Sequence, residues 1–278
     1  MVGDRHPHSA PEALRATERY LATQFSKQQW AVTTQAFGAR GHTYRNVLAV
    51  KASSTPASGP QAPPLLVGAH YDTVSGSPGA DDNASALAVL LEVAYRLKRV
   101  AVMRPVWLAA FCLEEEGLLG SRAFVAKLRR SQETLAGAIV LECVGYTDRT
   151  PGSQKAPTGL PVAIPSTGDF LAVIGNDASR MLMDVIAESA RSIIVPLSTV
   201  SLAVPGRGEQ LPDVRRSDHA SFWDKDYPAV MLTDTANFRN PHYHRPTDTV
   251  DTLDLHFIEQ VAEVVLCSVL AVASGKRP

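Results

Sequence analysis

The sequence predicts an α/β fold: a three-layer α/β/α sandwich around a largely parallel, mixed central sheet. Short apolar runs typical of buried strands alternate along the chain with longer stretches of helical periodicity. Ionisable residues cluster directly after several apolar runs, as at the carboxyl edge of an open parallel sheet. The 278 residues, 45% hydrophobic and 20% charged, are typical of a globular protein and are enough for one large domain.

The N-terminal elements are predicted to be a tail, a helix and a hairpin. Residues 1–10 are polar and are expected to form a flexible tail ahead of a single domain over residues 11–275. A helix is predicted from residue 11 to about residue 28, because apolar residues recur on one face and Pro11 suits a first helical turn. Strand-like runs at 30–37 and 44–51, joined by the sequence GARG, are typical of a β-hairpin. A Ser- and Pro-rich loop over residues 52–63 follows.

Strands and helices alternate through the middle of the chain. Apolar runs at 65–69, 106–112 and 138–141 predict buried strands. Leucines and alanines at helical spacing predict a helix over 83–99, and a shorter helix is expected over 120–128. This order predicts parallel strands connected by helices that cover the sheet.

The C-terminal part of the chain is predicted to be less regular. Two segments near residues 147–168 and 196–216 are rich in turn-forming residues and are expected to be irregular excursions from the core. The remaining predicted elements are a strand at 170–174, a helix at 176–191, a helix at 220–223, a strand at 229–233 and a long amphipathic helix at 255–272.

Charge, cysteine content and hydropathy exclude several classes of protein. The 27 basic and 28 acidic residues give a net charge of −1, so neither nucleic acid nor a membrane is an expected partner. Cys112, Cys143 and Cys267 are too few for a disulfide framework, and each lies in an apolar stretch, which favours burial. No unbroken uncharged run reaches a membrane-spanning length of about 18 residues. Without the apolar core of a signal peptide, a cytoplasmic location is expected, or secretion if a signal was removed.

Two short motifs place metal-ligand chemistry near the start of the predicted sheet. His70 and Asp72 are two residues apart, and a metal-bound histidine commonly gives its second N–H to a carboxylate. The alternative is a partly buried histidine with an ordinary hydrogen bond. Asp81 and Asp82 open the predicted helix, where one aspartate would serve as an N-cap and a second could bridge two cations.

Further acidic and histidine residues follow later strands. Glu114, Glu115 and Glu116 come after the second apolar strand, and Glu142 ends the third. Neighbouring carboxylates can take different roles, one binding metal and the next moving protons, although a solvated charge run is the alternative. The sequence NPHYHRPTDT near the C-terminus supplies His244.

The order and spacing of these motifs resemble the family of di-zinc aminopeptidases that also includes glutamate carboxypeptidase and glutaminyl cyclase. The resemblance covers about residues 10–265. It is carried by the sequences GAHYDT, PGADDNASALAVLLEVA, FCLEEEGLLGSRAF, VLECVGY, RSDHASFW, YPAVMLTDT and NPHYHRPTDTVDTLD.

The resemblance implies two divalent metal ions. The mixed imidazole and carboxylate ligands suit zinc, with cobalt or manganese as substitutes. One ion is expected to be held by His70, Asp82 and Glu142, and the other by Asp82, Glu115 and His244. Asp82 would therefore bridge the two ions. Glu142 departs from the aspartate that is frequent in the family, and its extra methylene changes the reach of the ligand without removing the oxygen donor.

The resemblance also implies roles for residues around the ions. Asp72 matches the acid that orients His70, and Glu114 matches the general base. The segment Ser217, Asp218 and His219 is expected to lie next to the ligands or in the pocket wall. Glu116 has no implied role and is expected to be a surface charge, and the family's residue near the oxyanion is not identified.

The implied function is that of a metal-dependent exopeptidase. Glu114 would take a proton from a metal-bridged water and return it to the leaving amine. An aminopeptidase acting on peptides is the first hypothesis, because a free substrate amine suits the acidic cluster. A carboxypeptidase or dipeptidase is the alternative, since arginines could bind a substrate carboxylate. The candidate arginines are Arg207, Arg215, Arg216, Arg239 and Arg245. A glutaminyl cyclase and a non-catalytic interaction module are the remaining alternatives, and the oligomeric state stays open.

Overall fold

A computed structural model of the protein describes residues 1–54, 62–160 and 163–274, and in it eight strands form one mixed sheet. Residues 55–61 of the predicted Ser- and Pro-rich loop lie outside the described residues, as does residue 275, the predicted end of the domain. The strands are β1 (Ala31–Ala39), β2 (His42–Lys51), β3 (Leu65–His70), β4 (Val106–Phe111), β5 (Gly137–Glu142), β6 (Leu171–Asn176), β7 (Thr199–Val204) and β8 (Ala229–Thr233). The α-helices are α1 (Pro11–Lys27), α2 (Ala86–Leu97), α3 (Leu119–Arg130), α4 (Arg180–Ser192), α5 (His219–Trp223) and α6 (Leu255–Ala273).

The sheet has a parallel centre with antiparallel additions on both sides. Its strand order is β1-β2-β4-β3-β5-β8-β6-β7. The four central strands β4, β3, β5 and β8 are parallel, whereas β2 and β6 run antiparallel to their central neighbours. The carboxyl ends of the central strands therefore meet at one edge, which is where α/β sheets bind ligands.

Helices cover both faces of this sheet, which confirms the three-layer prediction. The larger core joins one face of the sheet to α1, α2, α4 and α6, and the smaller core joins the other face to α3 and α5. Alternate residues of β3 divide between them: Leu65 and Val67 belong to the larger core and Leu66 to the smaller. The central strands are apolar on both faces for this reason.

The helix predicted over 83–99 is regular only from Ala86. Residues Ala80–Ser85 form a wider π-helical turn, in which Asp82 and Asn83 have non-helical backbone angles and are joined by a cis peptide bond. The turn leaves the leucine-rich helix to pack in the core while Asp82 lies at the carboxyl edge of the sheet.

The N-terminal segment differs from the flexible tail predicted from its polarity. Arg5 is only 1% exposed, and its guanidinium donates hydrogen bonds to backbone carbonyls on both sides of it. The prediction missed this because hydropathy does not distinguish a solvated arginine from one that carbonyl groups enclose.

The excursion predicted over residues 196–216 is also incorrect in part, since it contains β7. This strand lies at the edge of the sheet and pairs in parallel only with β6. Its side chains are mostly half-buried, so the alternation that identifies a strand is weak, and prolines at 196 and 205 flank it. Within the described part of the other excursion, residues 147–160 and 163–168, only the bridge between Asp148 and Gly168 is β-structure.

The last helix, α6, belongs to the core. Within the described chain it is the one helix long and apolar enough, by length and composition, to cross a membrane. Nine of its residues are buried, among them Phe257 and Val261, and it packs against α2 and α4. The cysteines are unpaired; Cys112 and Cys143 are buried, as expected, and Cys267 is half-buried.

Candidate metal centre

Five polar side chains converge at the carboxyl edge of the sheet. His70 is the last residue of β3 and Glu142 the last of β5. Glu115 lies in the turn after β4, and Asp82 lies in the π-helical turn before α2. His244 comes from the loop after β8. Residues that are up to 174 positions apart in the chain are brought together because parallel strands end at the same edge.

The two histidines contact the same aspartate from opposite sides. His70 Nε2 lies 3.1 Å from Asp82 Oδ1 and 3.5 Å from Glu142 Oε2. His244 Nε2 lies 3.0 Å from Asp82 Oδ2 and 3.2 Å from Glu115 Oε1. Each oxygen of Asp82 thus faces a different histidine and carboxylate, the arrangement that a bridging ligand requires.

The donor atoms fit divalent cations. Potential ligand atoms of His70, Asp82 and Glu142, and likewise those of Asp82, Glu115 and His244, lie within 4.8 Å of one another. Of the polar atoms in the described residues, His70 Nε2, both carboxylate oxygens of Asp82 and Glu115 Oε1 are buried without a hydrogen-bond partner. Buried polar atoms without partners are costly, and bound cations would satisfy all of them. Imidazole with carboxylate oxygen is a ligand set that zinc accepts.

The electrostatics of the site also favour added positive charge. Burial, reinforced by the negative charge of Asp82, raises the pKa of Glu115 to about 8. Burial likewise raises the pKa of Glu114 well above its usual value, against the positive charge of His70. Burial lowers the pKa of His244, but the carboxylates of Asp82 and Glu115, which lie 3.0 Å and 3.2 Å from its Nε2, outweigh burial and raise the pKa to about 10. These directions show an excess of buried negative charge, which a divalent cation would stabilise.

Protein donors distinguish Asp81 from Asp82. Asp81 accepts hydrogen bonds from the N–H of Gly145 at 2.8 Å and from Asn240 Nδ2 at 2.7 Å, so both of its oxygens are engaged within the protein. The oxygens of Asp82 lack such donors. The geometry therefore supports the second aspartate as the bridge and the first as a support for the turn.

Asp248 fixes the backbone of this aspartate pair. Its carboxylate accepts hydrogen bonds from the N–H groups of Asp81, at 2.8 Å, and Asp82, at 3.1 Å. Asp248 stands in the motif NPHYHRPTDT, and no role was predicted for it. Its position four residues after His244 was the available signal, because one loop then supplies both a ligand and a clamp for the bridging ligand.

Asp72 contacts His70, the partner that the resemblance implies, and also the backbone of the glutamate loop. Its carboxylate oxygen lies 3.6 Å from His70 Nδ1, whereas its backbone carbonyl lies 3.1 Å from the same nitrogen. The carboxylate also accepts the N–H of Glu114 at 3.1 Å and of Glu115 at 3.2 Å. The backbone of Asp72 holds the ring and its side chain holds the glutamate loop.

The segment after residue 216 surrounds the site as expected. Ser217 Oγ donates to Glu142 Oε2 at 2.7 Å and so orients that carboxylate. Asp218 is fully buried, and burial raises its pKa to about 7. His219 is buried beside them: its ring packs edge-on against Trp223, and its Nε2 donates to the carbonyl of Val214 at 2.7 Å.

Glu116 is not the surface charge that was expected. Its side chain is only 13% exposed, and it pairs with His6 Nε2 at 3.3 Å and with Arg40. No local sequence pattern predicts this contact, because both partners lie far from the glutamates in the chain.

Tyr243 is a residue of the site that the sequence analysis missed. Its ring stacks on the ring of His244, with centroids 3.8 Å apart, and its hydroxyl lies 3.3 Å from Arg216 Nη2. Burial and the negative charge of Asp82 raise the pKa of its hydroxyl, so it is a donor at neutral pH. Its adjacency to His244 in the sequence was the available signal.

An open apolar cavity of about 100 Å³ adjoins the ligands. Glu142 and Tyr243 form its metal-facing side, and Arg216 stands among its lining residues. Of the five candidate arginines, only Arg216 lines this cavity. Its apolar lining comes from Leu160, Ile164, Phe170, Ala172, Ile174, Val200, Leu202, Val214, Met231 and Phe238.

Other arginines considered for substrate binding are engaged elsewhere. Arg207 pairs with Asp226 on the surface, and Arg215 with Asp224. Arg239 is buried and donates to Gln154 and to the carbonyl of Phe170.

Comparison with known proteins supports the same chemistry. Residues 46–269 match Peptidase family M28. The Escherichia coli (strain K12) protein YfbL is 35% identical over 94% of this chain and 82% of its own length. Aminopeptidase YwaD of Bacillus subtilis (strain 168) is 27% identical over 90% of this chain, which spans 50% of YwaD. The Legionella pneumophila LapA aminopeptidase structure superposes with a TM-score of 0.74 at 20% identity, over 98% of this chain and 68% of LapA.

Proposed function

This chain belongs to peptidase family M28 and is a metallopeptidase, and we propose that it is an aminopeptidase that removes the N-terminal residue of a peptide with the help of two zinc ions. The observation that carries the proposal is the pair of ligand sets that share Asp82. Several of their ligand atoms are buried and have no hydrogen-bond partner. His70 and Glu142 would complete one set, and Glu115 and His244 the other.

Bound zinc would lower the pKa of water and polarise the scissile carbonyl. Glu114 would act beside the ligands as general base, since the hydrogen bond from its N–H to Asp72 fixes its backbone and burial raises its pKa. A raised pKa also suits the second half of the reaction, in which the same carboxyl returns the proton to the leaving amine. Glu114 belongs to a third group of close potential ligand atoms, with His70 and Glu115, which keeps its carboxylate within reach of the reaction.

We assign stabilisation of the developing oxyanion to the hydroxyl of Tyr243. Stacking on His244 holds its ring, and the cavity side that it shares with Glu142 is where the carbonyl of a substrate would lie. Arg216 lies against the same hydroxyl and would strengthen it as a donor.

The apolar cavity supports a large apolar N-terminal side chain as the preferred substrate residue. Phe170, Met231 and Phe238 would contact such a side chain and exclude water from it. A charged side chain would lose part of its hydration against this mostly apolar lining, which disfavours it.

Arg216 favours the carboxypeptidase or dipeptidase alternative, because it could pair with a substrate carboxylate at the cavity. The two functions differ in which terminus must be free. The test is hydrolysis by zinc-loaded protein of three matched peptides: unmodified, N-acetylated and C-terminally amidated. The aminopeptidase proposal predicts cleavage of the unmodified and amidated peptides and none of the acetylated one. Cleavage of the acetylated peptide with loss of activity on the amidated one would establish a carboxypeptidase, and loss of activity on both blocked peptides would establish a dipeptidase.

A further inference from the structure

The N-terminal strap, residues 1–9, passes behind the loop that connects His70 to Asp82. Its centre is Arg5, whose backbone N–H donates to Thr73 Oγ1 at 2.9 Å. The guanidinium is buried and donates only to backbone carbonyls. These carbonyls belong to Met1, at 2.5 Å, Gly3, at 2.7 Å, Tyr71, at 2.9 Å, Pro78, at 2.9 Å, and Gly79, at 3.0 Å.

Three of these carbonyls lie in the loop between the two metal ligands. Tyr71 directly follows His70, and Pro78 and Gly79 come just before the π-helical turn that holds Asp82. A single planar guanidinium therefore joins the beginning of the loop to its end. Arginine suits this task, because its five N–H groups point outward from a rigid fork.

The packing at Gly79 leaves no space for a side chain between Arg5 and the backbone of Asp82. Gly79 has a φ of +58°, and a Cβ atom there would lie 2.7 Å from Arg5 Nη2 and 2.3 Å from the carbonyl oxygen of Asp82. Gly79 thus lies between the guanidinium of Arg5 and the backbone carbonyl of Asp82. A shift of the guanidinium would move the turn that carries Asp82.

A second contact ties the strap to the other ligand loop. His6 Nε2 lies 3.3 Å from Glu116 Oε1, and Arg40 of the β1–β2 hairpin pairs with the other oxygen of the same carboxylate. Glu116 directly follows Glu115, which is a ligand in the proposed site. Neighbouring residues of the strap, Arg5 and His6, therefore reach both loops.

We propose that Arg5 is a positioning residue of the metal centre: through its carbonyl contacts the strap fixes the loop between His70 and Asp82 and thereby sets the affinity for zinc. This inference rests on the proposed zinc centre. Arg5 touches none of the ligand side chains, so its effect passes through the backbone. Groups that orient metal ligands without binding metal commonly change metal affinity by about 10–100-fold when they are removed.

The test measures zinc affinity and stability separately in the full chain. Arg5→Gln is compared with Arg15→Gln, a matched change at an exposed arginine of α1 that pairs with Glu12. For each variant, the zinc dissociation constants come from competition with a chelator, and thermal unfolding is followed with and without zinc. We expect Arg5→Gln to weaken zinc binding about 10–100-fold and to reduce the zinc-dependent rise in unfolding temperature, and Arg15→Gln to match the wild type.

A purely structural role for Arg5 would give a different result. Unfolding temperatures with and without zinc would then fall equally, and the dissociation constants would stay at wild-type values, which would overturn the inference. Arg5→Lys separates geometry from charge, because lysine keeps the charge but has three donors for five carbonyls. We expect its zinc affinity to resemble that of Arg5→Gln; wild-type affinity in Arg5→Lys would also overturn the inference.

A milder variant covers the case in which Arg5→Gln does not fold. Thr73→Val is nearly isosteric and removes only the acceptor for the backbone N–H of Arg5. We expect a loss of zinc affinity of about 3–10-fold in a folded protein, within the range for such outer contacts, and unchanged affinity would contradict the inference. If the proposed function is wrong, the wild-type protein itself will bind no zinc. That outcome is distinct from wild-type zinc affinity in the Arg5 and Thr73 variants.

Discussion

The carboxylate of Asp72 accepts the backbone N–H of Glu114 at 3.1 Å, so an acid that follows one strand fixes the proposed general base that follows the next. The same carboxylate accepts the N–H of Glu115 at 3.2 Å. Because β3 and β4 are parallel neighbours, their carboxyl ends bring these residues together. Asp72 therefore links the proposed base and a proposed ligand to the loop that carries His70.

Asp72→Asn tests this link. An amide oxygen can accept one N–H well, but the amide nitrogen would face the other N–H as a second donor. We expect turnover to fall by about 10–100-fold with weaker zinc binding, the scale of changes next to metal ligands. The measurement pairs kcat with the zinc dissociation constants. The control is Asp177→Asn, at an exposed aspartate that pairs with Arg180 on the surface. Equal kcat and equal zinc dissociation constants for both variants and the wild type would contradict the link.

Asp82→Ala tests the bridge. Both ligand sets contain Asp82, so its removal should weaken binding of both ions, and the zinc content should fall from about two per chain toward zero. Elemental analysis after zinc loading and dialysis measures the content. Asp251→Ala, at an exposed aspartate, should retain the wild-type content. Loss of one ion with full retention of the other would mean that Asp82 belongs to a single site.

Tyr243→Phe tests the assignment of the oxyanion donor. Phenylalanine keeps the ring that stacks on His244 and removes only the hydroxyl. We expect kcat to fall by about 10²-fold, the cost of losing one oxyanion donor, with zinc content and KM nearly unchanged. Steady-state kinetics with zinc analysis measures this. An unchanged kcat would remove the hydroxyl from the reaction.

Arg216→Met tests whether Arg216 binds a substrate carboxylate, as the carboxypeptidase or dipeptidase alternative requires. If Arg216 only supports Tyr243, the variant should lose activity equally on free and C-terminally amidated peptides. A loss confined to peptides with a free carboxylate would show that Arg216 binds that group. The measurement is kcat/KM on the two matched peptides.

His219 predicts a pH dependence of stability that does not involve metal. Burial lowers its pKa to about 4, against an ordinary value of 6.5. Between these pH values the unfolded chain binds the proton and the folded chain does not, so the free energy of unfolding falls as the pH drops from about 6.5 to about 4. The contribution is on the order of 3 kcal/mol at full extent.

Urea unfolding of metal-free protein at several pH values between 7 and 4 measures this dependence. His219→Gln should give a flatter profile than the wild type, while His256→Gln, at an exposed histidine, should keep the wild-type slope. Identical slopes for the wild type and His219→Gln would contradict the prediction.

Most of the fold was predictable because its signals are local. Strand β8 has the predicted bounds, and α1 and α6 differ from prediction by one residue, since apolar periodicity and strand composition identify them directly. Strand β7 was not predictable in the same way, because an edge strand with half-buried side chains has a weak pattern. The burial of Arg5 depends on carbonyls of a distant loop, and no local pattern encodes such a contact.

In the candidate site, too, residues in local motifs were predictable and residues that act through distant contacts were not. The proposed ligands stand in motifs that the sequence displays, and the structure brings all five together. The supports of those ligands are less visible, because Asp248 and Ser217 act through contacts with residues far away in the chain. The contact of Asp72 with Glu114 could not be derived from its two-residue offset from His70, because only the pairing of β3 with β4 creates it.

We propose that Glu114 moves protons without holding metal, whereas its neighbour Glu115 holds metal. Both changes to glutamine are nearly isosteric, so each variant serves as the matched control for the other. The decisive measurement is the zinc content and kcat of Glu114→Gln beside those of Glu115→Gln. The expected result is that Glu114→Gln keeps about two zinc ions and loses turnover by about 10²–10⁴-fold or more, the scale of general acid–base catalysis, while Glu115→Gln loses zinc. Loss of zinc in Glu114→Gln with retention in Glu115→Gln, or wild-type turnover in Glu114→Gln, would contradict it.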